Sequence, residues 1–464
     1  MYKSVQLAGG TYRHTDLSLT AQRTINFWPQ RQDAGNEKVQ YTLESFPGLK
    51  AFSSGSGLHR GTFEHVGTVY TLRGTTLESV NSVGTRTTIG TIPGDGRAIF
   101  DGFLTGIVLT ANGVAYWWDG TTLTTGVDVD FETPETVTVI NNQAVYDGDN
   151  GRFCISDVGA PLTINALNYG TAEYEADSLE RVYHFLTVVY MMGSKSIEQH
   201  WNNPQVENPP MSRIEGGATN IGLGAVNSVA SDSQVIYLFG SDRQVYALLG
   251  TSATPLLPKV IAREIQSFTT VSDAVGWTMC LDGQWFYVLK FPDADRTFIY
   301  PKGGQWFELS SGVDGGRYQG DGYVYAFGKH LVPDENGNIF ELDIDTFAEN
   351  GSVIRRVRTL APIHGGMFGV PGKEIEISSF RLVGKTGTGI LTGQGSDPVV
   401  MLQWSYDGEN FNTETWGYVG EMGVFTEILF DVNEAHENWI FQIVSTDPVY
   451  SSWHAAGIEM QVCP

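Results

Sequence analysis

Hydrophobic positions between Leu58 and Glu349 fall into short runs of β-branched and aromatic residues that come in pairs, each pair divided by a glycine-centred turn. The clearest copies are Val69-Tyr70-Thr71-Leu72-Arg73-Gly74, Ala115-Tyr116-Trp117-Trp118-Asp119-Gly120, Val188-Val189-Tyr190-Met191-Met192-Gly193, Val235-Ile236-Tyr237-Leu238-Phe239-Gly240 and Tyr323-Val324-Tyr325-Ala326-Phe327-Gly328. Two weaker copies turn at Gly151 and Gly283. Runs of this kind, bounded by turn residues, are strands. The turn glycines 74, 120, 151, 193, 240, 283 and 328 are separated by 46, 31, 42, 47, 43 and 45 residues, and a period of about 40 to 45 is that of four-stranded propeller blades.

A single hairpin is marginal in water, so each repeat must stack on its neighbours to bury both faces of its sheet. Radial stacking about an axis does this and leaves only short edges. An open solenoid would need polar capping repeats at both ends, and the sequence has none. With 55 Gly, 18 Pro and many Val, Thr, Tyr and Phe, no long stretch keeps the 3.6-residue apolar spacing of a helix. The expected fold is all-β with few helices: a β-propeller of six or seven blades, the short step before Gly151 being the uncertain one.

Three zones follow. Residues 1–57 read as an extended lead-in with aromatic anchors at Phe27 and Trp28 and a turn at Ser45-Phe46-Pro47-Gly48-Leu49, where Gly48 suits a left-handed turn residue. Part of it is expected to supply a strand that closes the propeller. Residues 58–349 carry the repeats. Beyond Asn350-Gly351 the blade phrase stops and alternating strands begin at Glu374-Ile375-Glu376-Ile377, Phe380-Arg381-Leu382-Val383, and at 399–404, 426–432, 439–444 and 457–462. We read 350–464 as a separate C-terminal β-sandwich, with a tight hairpin at Asp407-Gly408 and a mobile glycine-rich loop from Lys385 to Gly395.

Composition narrows the function. A formal charge of −24 argues against tight binding to DNA or to an anionic membrane, both of which are held through Lys and Arg. No apolar run approaches the ~18 residues of a membrane span, so no membrane anchor is expected. The start of the chain lacks the apolar centre of a secretory signal, which predicts a protein that stays where it is made. Cys154, Cys280 and Cys463 are odd in number and far apart, so reduced thiols are expected.

Catalytic motifs fail on inspection. Gly387-Thr388-Gly389 is followed by Thr392 where a dinucleotide fingerprint needs glycine, and Gly372-Lys373 lacks the rest of a phosphate loop. Asp147-Gly148-Asp149-Asn150-Gly151 and Asp334-Glu335-Asn336-Gly337-Asn338 are oxygen-rich but lack calcium-loop spacing, and read as turns. The nearest histidines, His59 and His65, are six apart, and no Gly-x-Ser-x-Gly elbow occurs. Ser405-Tyr406-Asp407-Gly408-Glu409-Asn410-Phe411 looks like a sialidase Asp-box, but its Asp and Gly are adjacent and it occurs once. No catalytic, cofactor or metal residues are expected.

Taken in order, several segments resemble the packaged-DNA stabilisation protein, or tail hub or nozzle, of short-tailed bacteriophages. They are Ser45-Phe46-Pro47-Gly48-Leu49, Gly57-Leu58-His59-Arg60-Gly61, Val69-Tyr70 leading into Arg73-Gly74, Gly193-Ser194-Lys195-Ser196-Ile197-Glu198, and the late hairpin at 405–411. The resemblance covers the whole chain. It implies a structural virion protein without enzymatic activity, forming a homo-hexamer ring below the portal and its adaptor. Such a ring contacts a tail needle or fibre, carries tailspikes in some phages, retains the packaged genome and guides its ejection. It would assemble in the host cytoplasm and reside in the phage tail. Six copies at −24 each carry −144 formal charges, so genomic DNA would pass an acidic conduit without tight binding.

Two further expectations come from the residues themselves. Arg355, Arg356 and Arg358 form the densest basic cluster of an acidic chain. They read either as partners for nearby Asp and Glu or as a contact to an adjacent subunit or the adaptor, since guanidinium pairs bidentately with carboxylate. The alternative function is a carbohydrate-binding or glycan-degrading β-propeller, with Trp117-Trp118 stacking on sugar, although these rings also suit packing between blades.

Overall fold

Two-residue alternation sends every second side chain of a strand to the same face, and the paired runs accordingly become antiparallel hairpins. The computed structural model describes residues 2–32, 41–126, 133–206 and 209–463. Within it, Thr68–Arg73 pairs with His59–His65 on one side and Thr76–Val80 on the other, and Arg86–Thr91 completes a four-stranded meander. The same order recurs at 98–125, 137–171, 179–219, 230–255 and 275–308. A last meander takes three strands from 324–343 and its fourth, Gly48–Ser53, from the lead-in. The one α-helix among the described residues is Lys259–Gln266.

Each turn glycine singled out above lies in a different meander, but not always in the same hairpin. Gly74, Gly151 and Gly240 follow the second strand and Gly193 ends it, Gly120 follows the third, and Gly283 and Gly328 the first. The 31-residue step from Gly120 to Gly151 is therefore a step back by one hairpin rather than a missing repeat.

Apolar clusters join each meander to the next. Leu72 and Leu77 pack with Leu109 and Tyr116; Val108 and Phe103 with Val137 and Tyr146; Val145 and Ile155 with Val189 and Met191. Tyr190 and Met192 meet Ile236 and Leu238, Phe239 meets Phe291, and Val288 meets Leu342. A seventh cluster sets Val324, Leu331 and Ile339 against Val69 and Val80, so the last meander packs on the first.

After residue 350 two sheets share one core. In the first, Ile428–His436, Ile375–Gly384 and Ser452–Val462 are extended by Tyr41–Ser45 and Phe27–Arg31, with Tyr2–Val5 paired to Ser452–Val462. In the second, Thr415–Tyr418, Val399–Ser405, Asn438–Ser445 and Arg356–Thr359 run on through Ala21–Ile25 to Phe307–Glu308 of the sixth meander. Phe27, Leu43, Phe380, Trp404, Trp439, Phe441 and Trp453 fill the space between them. The residues read as a lead-in are thus divided among both C-terminal sheets and the last meander.

Three local expectations change. Gly48 has no positive φ; a Cβ there would lie 2.2 Å from the Ala348 carbonyl oxygen, so close backbone approach is what demands glycine. Asp407-Gly408 is no two-residue hairpin, because the connection from Ser405 to Thr415 is long and folds over Asp407 Oδ1, which accepts from the Glu409 and Asn410 amides. The Lys385–Gly395 stretch is irregular, yet Gly387 N donates to Val419 O and Ile390 N to Gly395 O, so its backbone is tied in place.

Candidate functional site

Arg356–Thr359 is buried along its whole length, between Ala21–Ile25 and Asn438–Ser445. Strand periodicity puts Arg356 and Arg358 on one face and Val357 on the other, where it packs with Ile25, Met401 and Val444. Both arginines are fully buried. Arg358 Nε donates to Leu7 O (2.7 Å), Nη1 to Gly9 O, Gly10 O and Thr24 Oγ1, and Nη2 to Gln22 Oε1. Arg356 Nη2 donates to Phe347 O (2.9 Å). Among the described residues neither has an ion pair with a carboxylate. Backbone carbonyls, those of the lead-in for Arg358 and that of Phe347 for Arg356, take the role expected of Asp and Glu, and at Gly9 a Cβ would stand 2.8 Å from Arg358 Nη2. Arg355 is half-buried, and among the three its side chain is the one within reach of solvent.

A second set of charges gathers where the first strands of the meanders converge. His59 Nδ1 lies 2.7 Å from Asp321 Oδ2, and Arg97 Nη2 donates to Asp321 Oδ1 (2.7 Å). Lys290, fully buried, reaches Glu335 Oε1 (2.6 Å) and Gly320 O (2.9 Å). Arg317 holds both Glu335 oxygens at 2.8 Å. Burial works against ionisation of Asp321, but the hydrogen bond with His59 and the charge of Arg97 outweigh it and hold the carboxyl well below its ordinary range. These groups come from the first, second, sixth and last meanders. No sequence signal marks them, because partners such as His59 and Asp321 stand more than 260 residues apart.

The other flagged residues serve the fold. His59 and His65 sit at opposite ends of one strand and do not converge. Asp147 Oδ1 accepts from the Glu135 and Thr136 amides and ties its strand to the chain that enters the third meander, while Asp334 Oδ1 accepts from the Asn336 and Asn338 amides and closes its turn. Trp117 packs edge-on against Phe103 between the second and third meanders. Sequence reading missed an exposed apolar edge beyond residue 415. Trp416 (60% exposed) and Tyr418 (60%) stand on the outermost strand of one sheet, with Phe425 (83%) in the connection to Leu429 on the edge of the other. Trp416 and Tyr418 alternate with buried Gly417 and Val419, and periodicity alone does not say which face of an edge strand stays uncovered.

No curated protein matches the chain. Solved structures similar to it include the computationally designed Ika8 protein (10% identity, 70% of this chain and 100% of that one, TM-score 0.39). BamB from Moraxella catarrhalis follows at 10% identity, 74% and 97% coverage and a TM-score of 0.38. PorZ of the Porphyromonas gingivalis type-IX secretion system has 15% identity, 80% and 46% coverage and a TM-score of 0.41. Scores this low carry no functional weight. The family model described as Bacteriophage P22 Gp10, beta-propeller, matches residues 3–347, which takes in the lead-in and every meander. The chain belongs to this family of phage packaged-DNA stabilisation β-propellers, structural proteins of the virion and not enzymes.

Proposed function

We propose that the protein is the tail hub or nozzle of a short-tailed phage, closing the DNA exit channel below the portal and adaptor until the genome is ejected. The observation that carries this reading is the family match over 3–347. In this reading the meanders make a closed seven-bladed propeller, sealed by Gly48–Ser53, and 350–464 with the lead-in strands makes a β-sandwich bolted to it. The continuous sheet from the sixth meander into the C-terminal strands supports a body stiff enough to bear pressure from packed DNA. The exposed edge at Trp416, Tyr418 and Phe425 supports assembly into a ring, because apolar patches of this kind mark protein contacts. Arg355, partly exposed, is the one member of the arginine cluster suited to an adaptor or subunit contact.

Deletion of the gene from its phage provides the test. Particles should fill with DNA and then lose it, and supplying the protein in trans should restore retention. A Trp416→Ser/Phe425→Ser double variant should stay folded and monomeric yet fail to restore it. Full particles that keep their genome without the protein would overturn the reading.

A further inference from the structure

Where the first strands converge, the molecule has a cavity of about 200 Å³ that is open to solvent. Its wall is built by the first strands of the first, second, fourth and sixth meanders and by the chain around Asn227 and Asp321. A water molecule's share of liquid is about 30 Å³, so the space holds several waters or one small solute. Trp277 and Tyr323 supply apolar wall, and Asn227 a polar one.

The charge of that wall is opposite to the charge of the protein. Three arginines, Arg60, Arg97 and Arg181, and one acid, Asp321, are among its lining residues, in a chain of net −24. Arg97 is paired with Asp321. Arg60 donates to the carbonyls of Gly96, Gly74, Ile92 and Pro93 and to Asn112 Oδ1, which satisfies its hydrogens without neutralising its charge. Arg181 is 8% exposed. One of its terminal nitrogens donates to Val226 O, its guanidinium carbon lies 5.4 Å from the Tyr183 ring centre, and its Nε has no partner. Asp101 and Asp147, the acids whose charge bears on it, spend their oxygens on other groups: Asp101 on Val139 N and Thr138 Oγ1, Asp147 on Glu135 N and Thr136 N. Burial also drives both carboxyls towards the neutral form, Asp147 up to about 7.

A buried cation without a counter-charge is costly, and charge-assisted hydrogen bonds to an oxyanion relieve that cost. We propose that this cavity is a binding site for one small oxyanion, of the size of phosphate or a small polycarboxylate, held by Arg181 with Arg97 and Asn227. The solute would lock the converging strands together from within. This site is independent of any contact the outer surface makes with other tail proteins.

Calorimetric titration of the full chain with inorganic phosphate, and separately with citrate, at fixed ionic strength tests the proposal. One saturable site is expected for at least one probe, with chloride giving none. Arg181→Met should weaken it about tenfold or more, as expected on losing a charge-assisted contact. Asn227→Leu, which disturbs no ion pair, should weaken it severalfold, and it decides the matter if Arg181→Met does not fold. Absence of saturable binding by both probes at millimolar concentration overturns the site. So does a folded Arg181→Met variant that binds as tightly as the parent, or unchanged binding by Asn227→Leu where that variant alone folds.

Discussion

Arg358 is a charged side chain in a fully buried strand, and its five acceptors explain how the fold tolerates it. Burial pushes its guanidinium down to about 9, which still leaves it charged at neutral pH. Removing it strands several carbonyls that water cannot reach, each costing about 1 to 3 kcal/mol. Arg358→Ala should therefore destabilise the protein by about 3 kcal/mol or more, whereas Arg355→Ala, at a half-exposed position, should stay within about 0.5 kcal/mol. Chemical denaturation compares the two, and equal midpoints would refute the carbonyl-clamp role. Glu349 poses the opposite case. Its carboxyl is buried, which pushes it up to about 7 despite the hydrogen bond from Ser311. A folded pKa raised above the ordinary value of 4.5 gives stability that is full below that value and is lost as pH rises through 7. Glu349→Gln should remove that loss, gaining on the order of 1 to 2 kcal/mol over the parent at pH 8 and little at pH 5. Melting curves at the two pH values check it, and an equal difference at both would sink the assignment.

At the scale of elements, the lead-in acts as a staple. Gly48–Ser53 supplies the outer strand of the last meander, and Tyr2–Val5, Ala21–Ile25, Phe27–Arg31 and Tyr41–Ser45 complete the two C-terminal sheets. Val5, Leu7, Phe27 and Leu43 belong to the C-terminal core, and Arg358 finds its five acceptors at residues 7 to 24. Residues 350–464 expressed alone should thus lack a cooperative unfolding transition and expose apolar surface to a hydrophobic dye. Fusing residues 1–47 ahead of them should restore the transition. A sharply melting 350–464 fragment would show that the staple is dispensable.

For the whole molecule, a net −24 sets the far field, and the one compact basic cluster on the chain is largely buried. With so few Lys and Arg free to displace counterions from phosphates, duplex DNA should bind no tighter than about micromolar at physiological salt; a fluorescence-anisotropy titration yielding nanomolar affinity would contradict the acidic-conduit idea. The sequence by itself determined the all-β class, the repeat with one turn glycine per meander, the change of character after Asn350-Gly351, and most C-terminal strands, because local periodicity and turn chemistry act over a few residues. Tertiary structure decided which lead-in strand joins which sheet, why Gly48 must be glycine, and that Arg356 and Arg358 meet carbonyls rather than carboxylates. It also decided the His59–Asp321 pair and the arginine-lined cavity. Most of these depend on groups tens to hundreds of residues apart being brought within about 3 Å, the range of a hydrogen bond. Spacing along a chain carries no record of such contacts.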